Sequence, residues 1–180
     1  MTQLSLFNAP QKNGLYPTIM ITKDMMDRAT KKYDRIDIDS SKDKRRFASE
    51  GKRLFYGYLG EIVVMDYYSV NGVDNYEYDM VISNAKIEVK SISCKFEPPK
   101  YYLASVNSCE KESDHRQDAD FYIFVRIQEN CECAWLVGFI GCNRFFELSK
   151  FIQKGETYHN MTFSKANVNV LPIMELYPIK

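Results

Sequence analysis

Between Asn75 and Ile92 the chain alternates apolar and polar residues twice, once on each side of a cluster of turn residues. Asn75-Tyr-Glu-Tyr-Asp-Met-Val-Ile82 reads as one strand, Ser83-Asn84-Ala85 as the turn, and residues 86–92 as the returning strand. Such a hairpin fixes which side chains meet. Because side chains alternate across a strand, Glu88 and Lys90 share one face and Ile87 and Val89 the other, buried one. Pairing of the two strands brings Asp79 beside Glu88 and Lys90.

The rest of the chain builds around this unit. Asp120-Phe-Tyr-Ile-Phe-Val-Arg-Ile127 and Ala134-Trp-Leu-Val-Gly-Phe-Ile140 flank Gln128-Glu-Asn-Cys-Glu-Cys133, a second hairpin whose strands are apolar enough for the core. Phe96-Glu-Pro-Pro-Lys100 forces an extended connection, after which 101–106 return as a strand and 107–118 read as a polar loop. Thr22 caps a predicted helix through Met25, Met26 and Ala29 to about Tyr33. Ser40 or Ser41 caps a long helical region over 42–68, with Gly51 or Gly57 as a point of interruption. Asn143-Arg-Phe-Phe-Glu-Leu-Ser-Lys-Phe-Ile152 has helical spacing with Asn143 as cap, and the tail over 168–177 reads as an extended piece and a short helical turn. The expectation is an α/β fold, a mixed central sheet flanked by helices. A mobile arm over 1–15 precedes a single domain over 16–180, a length sufficient for one full core.

Several function classes are disfavoured by composition. Ile62-Val63-Val64-Met65 and 134–140 are the longest apolar stretches and fall far short of a membrane span. The N-terminus has no basic region followed by an apolar block, so the expected location is cytoplasmic. The five cysteines, Cys94, Cys109, Cys131, Cys133 and Cys142, are odd in number and lack CxxC pairs, which points to reduced thiols. Cys131-Glu-Cys133 has the form of half a zinc site, but no second pair accompanies it and His115 and His159 are isolated. Net charge is zero, so no global basic signature of a nucleic-acid binder exists. Locally, Lys42, Lys44, Arg45, Arg46, Lys52 and Arg53 are opposed only by Asp43 and Glu50, either a solvated helix face or a phosphate-binding segment.

Leu54, Tyr58, Met65 and Tyr68 recur at the spacing of one helical face, and Glu61 lies on that face. A carboxylate in an apolar stripe needs a cation, a metal or hydrogen-bond donors. Carboxylates converging on one point repel each other, and a divalent cation with oxygen ligands is the usual compensation. Magnesium fits, with manganese as substitute: Asp79 and Glu88 would bind it, Glu61 would reach it directly or through water, and the Val89 carbonyl is a further candidate ligand. Lys90 would orient or help deprotonate an attacking water and offset charge on a phosphodiester under attack. Taken alone, Glu-x-Lys on a strand is common, and a cross-strand ion pair from Asp79 to Lys90 suffices to explain it.

In context, Gly60-Glu61, Tyr78-Asp79 and Ile87-Glu88-Val89-Lys90-Ser91 resemble the PD-(D/E)XK nuclease superfamily, the restriction-endonuclease-like fold. That resemblance implies Glu61, Asp79 and Glu88 as metal ligands, Lys90 as the catalytic lysine and DNA as substrate. Tyr78 stands where the family name expects proline, a position at which many members differ. Residues 102–106, 117–125 and 135–140 look like later core strands of phage and mobile-element members. Gln117 and Asp120 are weaker candidates for substrate contact; Asp120 reads better as a strand start and Gln117 as a loop residue. In the arm, Gln3, Leu4, Leu6 and Phe7 are similar to the motif by which bacterial replication and repair proteins bind the sliding clamp. The same residues also fit an arm packed on its own domain. Two rivals to the nuclease reading remain: a non-catalytic DNA- or partner-binding protein with this fold, and a clamp-binding module. A homodimer would suit cleavage of both strands of a duplex.

Overall fold

The computed structural model describes residues 15–37, 44–73, 77–107, 118–159, 161–162 and 166–179. In chain order the elements are β1 (Thr18–Met20), α1 (Lys23–Asp37), α2 (Lys44–Tyr68), β2 (Met80–Ile82), β3 (Ala85–Cys94), β4 (Leu103–Asn107), β5 (Phe121–Gln128), β6 (Cys133–Gly141), α3 (Cys142–Leu148), β7 (Lys150–Ile152), β8 (Thr157–Tyr158), β9 (Met161–Thr162) and β10 (Val168–Pro172), with a 3-10 turn at Ile173–Glu175. The fold is mixed α/β. A five-stranded sheet runs β1-β6-β5-β3-β2, in which β3 and β5 are parallel and the other pairs antiparallel.

Alternation along β5 explains the layers. Ile123, Val125 and Ile127 join Ile87 and Val89 of β3 beneath Leu59, Ile62 and Val63 of α2, while Met25 and Ala29 bring α1 into the same core. Tyr122 and Phe124 point the other way, into a cluster with Trp135, Phe145, Leu171 and Ile173. That second cluster lies between the main sheet and a three-stranded sheet, β4-β10-β7, with α3 beside it. A strand covered on both faces has no need of polar alternation, which is why 121–127 read as a nearly continuous apolar run. In β6 the register steps from Leu136 opposite Val125 to Gly138 opposite Phe124, so Val137 is the extra residue of a bulge. Gly138 has φ +149, and a Cβ there would stand 2.7 Å from the Leu176 Cβ.

The sequence expectations hold for most elements and fail at identifiable places. Thr22 caps α1 as expected, its Oγ1 accepting the Met25 amide at 3.2 Å. α2 runs unbroken through Gly51 and Gly57; Gly51 lies against Tyr33, where a Cβ would come 2.6 Å from the phenol oxygen. Of the strand expected over 75–82, residues 75 and 76 lie outside the described residues and 77–82 contribute only Met80–Ile82, with Asp79 just before it turning its carboxylate onto the Val89 amide. Ser83 and Asn84, with φ 47 and 68, form the two-residue turn, and Ala85 already belongs to β3. The helix expected over 143–152 stops at Leu148, and Asn143 is not its cap: Gly141 holds that position without a side-chain bond. Lys150–Ile152 pairs instead with Val168–Val170, so sheet pairing overrides the helical spacing. β1, β8 and β9 were not anticipated. No helix among the described residues is long and apolar enough to cross a membrane. The arm, with Gln3, Leu4, Leu6 and Phe7, lies outside the described residues up to residue 14.

Candidate active site

The site forms where two strands part. β2 pairs with β3 only at Ala85, Lys86 and Ile87, so β3 continues past its neighbour. Asp79 stands at the fork. Its amide donates to the Ile87 carbonyl at 2.9 Å, and its Oδ2 accepts the Val89 amide at 2.7 Å. Backbone groups of alternate strand residues face the same edge, so the Val89 carbonyl is directed to the side on which Asp79 lies.

Glu88 and Lys90 occupy the face opposite Ile87 and Val89, as the alternation requires. Lys90 Nζ donates to Glu88 Oε1 at 2.7 Å and lies 5.6 Å from the centre of the Tyr122 ring. Lys90 therefore pairs along its own strand with Glu88, and its charge also reaches Asp79. The second carboxylate oxygen of Glu88 is buried and has no hydrogen-bond partner. An orphaned, buried carboxylate oxygen is costly unless a ligand meets it.

Glu61 arrives from α2 by way of Gly60. A Cβ at position 60 would fall 1.7 Å from Ser91 Oγ and 2.7 Å from Ser91 Cβ, so the helix approaches β3 at a distance that only glycine allows. The buried centre of α2 is Leu59, Ile62, Val63 and Val64. The stripe of Leu54, Tyr58, Met65 and Tyr68 forms its shoulder, where all but Tyr58 are only half-buried. Glu61 sits on that shoulder, within electrostatic reach of Glu88, Lys90 and Asp79. Its Oε2 is held by Lys32 Nζ of α1, a residue that sequence reasoning missed. Lys32 lies on the exposed rim of a short amphipathic helix. Only the packing of α1 on α2 brings it to the site.

Burial dominates the electrostatics. It pushes Asp79 up to about 8, aided by the charges of Glu61 and Glu88 and opposed by the Val89 amide and Lys90. Burial raises Glu61 as well, against the hydrogen bond and charge of Lys32. For Lys32, burial works against the charged form, but the bond to Glu61 and the charges of Glu61 and Asp79 outweigh it and raise its pKa. Asp79 thus binds its proton more tightly folded than unfolded. The stability this confers is complete below about pH 4 and is lost as pH climbs toward and through about 8. Asp79→Asn is expected to flatten that decline: in chelator, thermal melts at pH 8.5 should show the variant more stable than the native chain. A native melting temperature that does not fall over this range would contradict the assigned environment.

The remaining candidates fall outside this cluster. Lys44, Arg45 and Arg46 begin α2, Lys52 and Arg53 are exposed further along it, and Lys42 lies outside the described residues. Arg53 precedes Glu61 by eight residues, about 12 Å of helix, so the basic segment shares α2 with Glu61, whereas Asp79 and Glu88 stand on the hairpin. Asp120 is structural: its Oδ2 accepts the Lys86 amide at 2.8 Å and its own amide donates to the Lys86 carbonyl at 2.9 Å, stitching β3 to β5. Gln117, His115 and Cys109 lie outside the described residues. Cys94, Cys131, Cys133 and Cys142 are free thiols. Cys133 donates to Gln128 Oε1 at 3.2 Å, and His159 packs against the Tyr158 ring.

Among the described residues, no three His, Cys, Asp or Glu side chains stand close enough together to hold a metal ion as they are placed. Lys32 and Lys90 each occupy a carboxylate oxygen and supply positive charge there. The donor set still suits a hard divalent cation: it consists of oxygens only, with the second oxygen of Glu88 left unpartnered. No family model, curated protein or solved structure matches the chain.

Proposed function

We propose that the chain is a metal-dependent deoxyribonuclease of the restriction-endonuclease-like kind, hydrolysing DNA phosphodiesters. The observation that carries this reading is that Asp79, Glu88 and Glu61 lie within electrostatic reach of one another and of Lys90, with one oxygen of Glu88 buried and unpartnered. Glu61, Asp79, Glu88 and the Val89 carbonyl would hold magnesium, or manganese in its place, which when bound supplies Lewis-acid polarisation of a phosphodiester. The chain's own groups do the rest. Lys90, seated on the face of Tyr122, orients the attacking water and offsets negative charge on the phosphate. Buried Ile87 and Val89 hold β3 rigid, which fixes Glu88 and Lys90 relative to Asp79. Lys44, Arg45, Arg46, Lys52 and Arg53, with Lys42 before them, would hold backbone phosphates and make binding salt-sensitive.

The N-terminal pentapeptide extends the proposal: Gln3, Leu4, Leu6 and Phe7 would tether the nuclease to a sliding clamp, raising its local concentration at DNA. Deleting residues 1–8 should then abolish clamp binding and leave cleavage of free DNA intact. The rival reading is a non-catalytic DNA- or partner-binding protein in which the same residues form a structural ion-pair cluster, a reading favoured by the Lys90–Glu88 and Lys32–Glu61 pairs. A panel of labelled single-stranded, duplex and branched DNA incubated with magnesium separates the two. Cleavage by the native chain but not by Glu88→Ala supports the enzyme; no cleavage of any form by either supports the rival.

A further inference from the structure

We propose that Lys32 is an exchangeable counter-ion of this site: its ammonium holds Glu61 until a divalent cation takes the carboxylate, and it thereby sets how tightly that cation binds. The inference rests on the metal-dependent reading above. Its first support is an asymmetry within the ion pair. The Glu61 side chain is 12% exposed and cannot leave, whereas that of Lys32 is 43% exposed and has solvent beside it. The second support is a contact that the ammonium already makes while it holds Glu61. Lys32 Nζ lies 4.8 Å from the centre of the Tyr58 ring, one helical turn before Glu61, where a displaced ammonium keeps a favourable cation–π contact.

The exchange requires no movement of α1. Met25 and Ala29 anchor that helix in the core, and Arg28 is paired with both Asp24 and Asp66. Only the end of the Lys32 side chain has to turn. Lys90 has no such freedom: it is two residues from Glu88 on the same strand and only 25% exposed, so it stays with the site. The two lysines therefore divide the work. Lys90 remains for chemistry, while Lys32 balances Glu61 in the resting protein and withdraws.

A cation entering the site must both displace the ammonium and tolerate it nearby. A unit charge about 6 Å from a divalent ion costs roughly a factor of ten in affinity even at the dielectric constant of water. Lys32→Met, which keeps the aliphatic stem, is therefore expected to bind manganese and magnesium about tenfold more tightly than the native chain. Lys32→Arg, which keeps the charge, should bind within about twofold of native. The experiment is calorimetric titration of either metal into each full-length chain, with circular dichroism to verify folding and Lys32→Gln as a second charge-removing variant. Tighter binding by both charge-removing variants, with Lys32→Arg near native, supports the exchange. Native binding that is unchanged or weakened on removal of the charge overturns it and leaves the metal reading standing. Absence of binding by native and variant chains alike overturns both.

Discussion

Under the proposed nuclease activity, Glu88→Ala is expected to lower magnesium-dependent DNA cleavage by about a thousandfold or more, with the fold retained. A factor of a thousand corresponds to about 4 kcal/mol of transition-state stabilisation, a modest demand for a residue that would hold the metal and position the catalytic lysine. Glu88 supplies the one buried, unpartnered carboxylate oxygen at the fork, and its other oxygen fixes Lys90 at 2.7 Å. Alanine removes both. The fold should survive because the apolar face of β3, Ile87 and Val89, is untouched and the Lys90 ammonium keeps the Tyr122 face. Lys90→Ala should lose about a hundredfold or more in rate while leaving metal binding in place, since it removes charge stabilisation but no ligand. Cleavage rates measured with excess magnesium, alongside thermal melts, distinguish the two variants. Native-like cleavage by Glu88→Ala would exclude the site.

The second large effect concerns Gly60. Substitution by alanine places a methyl group 1.7 Å from Ser91 Oγ, a distance that no rotation of the serine resolves because Ser91 Cβ is itself 2.7 Å away. Helix and strand must separate, at a cost of about 1–3 kcal/mol or more. For a chain of this length that is a fall of roughly 2–4 °C in melting temperature per kcal/mol. Glu61 is the next residue, so the same displacement draws its carboxylate away from Asp79 and Glu88, and cleavage should fall further than stability explains. Pairing Gly60→Ala with Ser91→Gly removes both clashing serine atoms and should recover most of the lost stability. A single Gly60→Ala variant as stable and active as the native chain would show that α2 does not pack on β3 as described.

The parts of this site that were legible in the sequence are those set by local periodicity. Glu88 and Lys90 share a face, and Ile87 and Val89 are buried, because a strand alternates whatever surrounds it. The second hairpin and the Thr22 cap were legible for the same reason. Tertiary geometry hid the rest. Lys32 is 29 residues from Glu61 and on a different helix, and nothing in its neighbourhood distinguishes it from Lys31. The apolar stripe drawn through Leu54, Tyr58, Met65 and Tyr68 was offset from the true buried face, because both shoulders of α2 carry large side chains. Asp79 was expected within a strand, but its side chain caps a backbone amide and ends the strand there. β7 took the helical-looking residues 150–152 because β10 offered a ladder to pair with.

Whether Asp79, Glu88 and Glu61 form a divalent-cation site is decided by binding of manganese at equilibrium to the full-length chain in the absence of DNA. Saturable binding by the native chain at about one ion per chain is expected, and its loss in Glu88→Ala, with both proteins folded by circular dichroism. Binding of equal strength by native and Glu88→Ala chains, or no binding by the folded native chain, would contradict it.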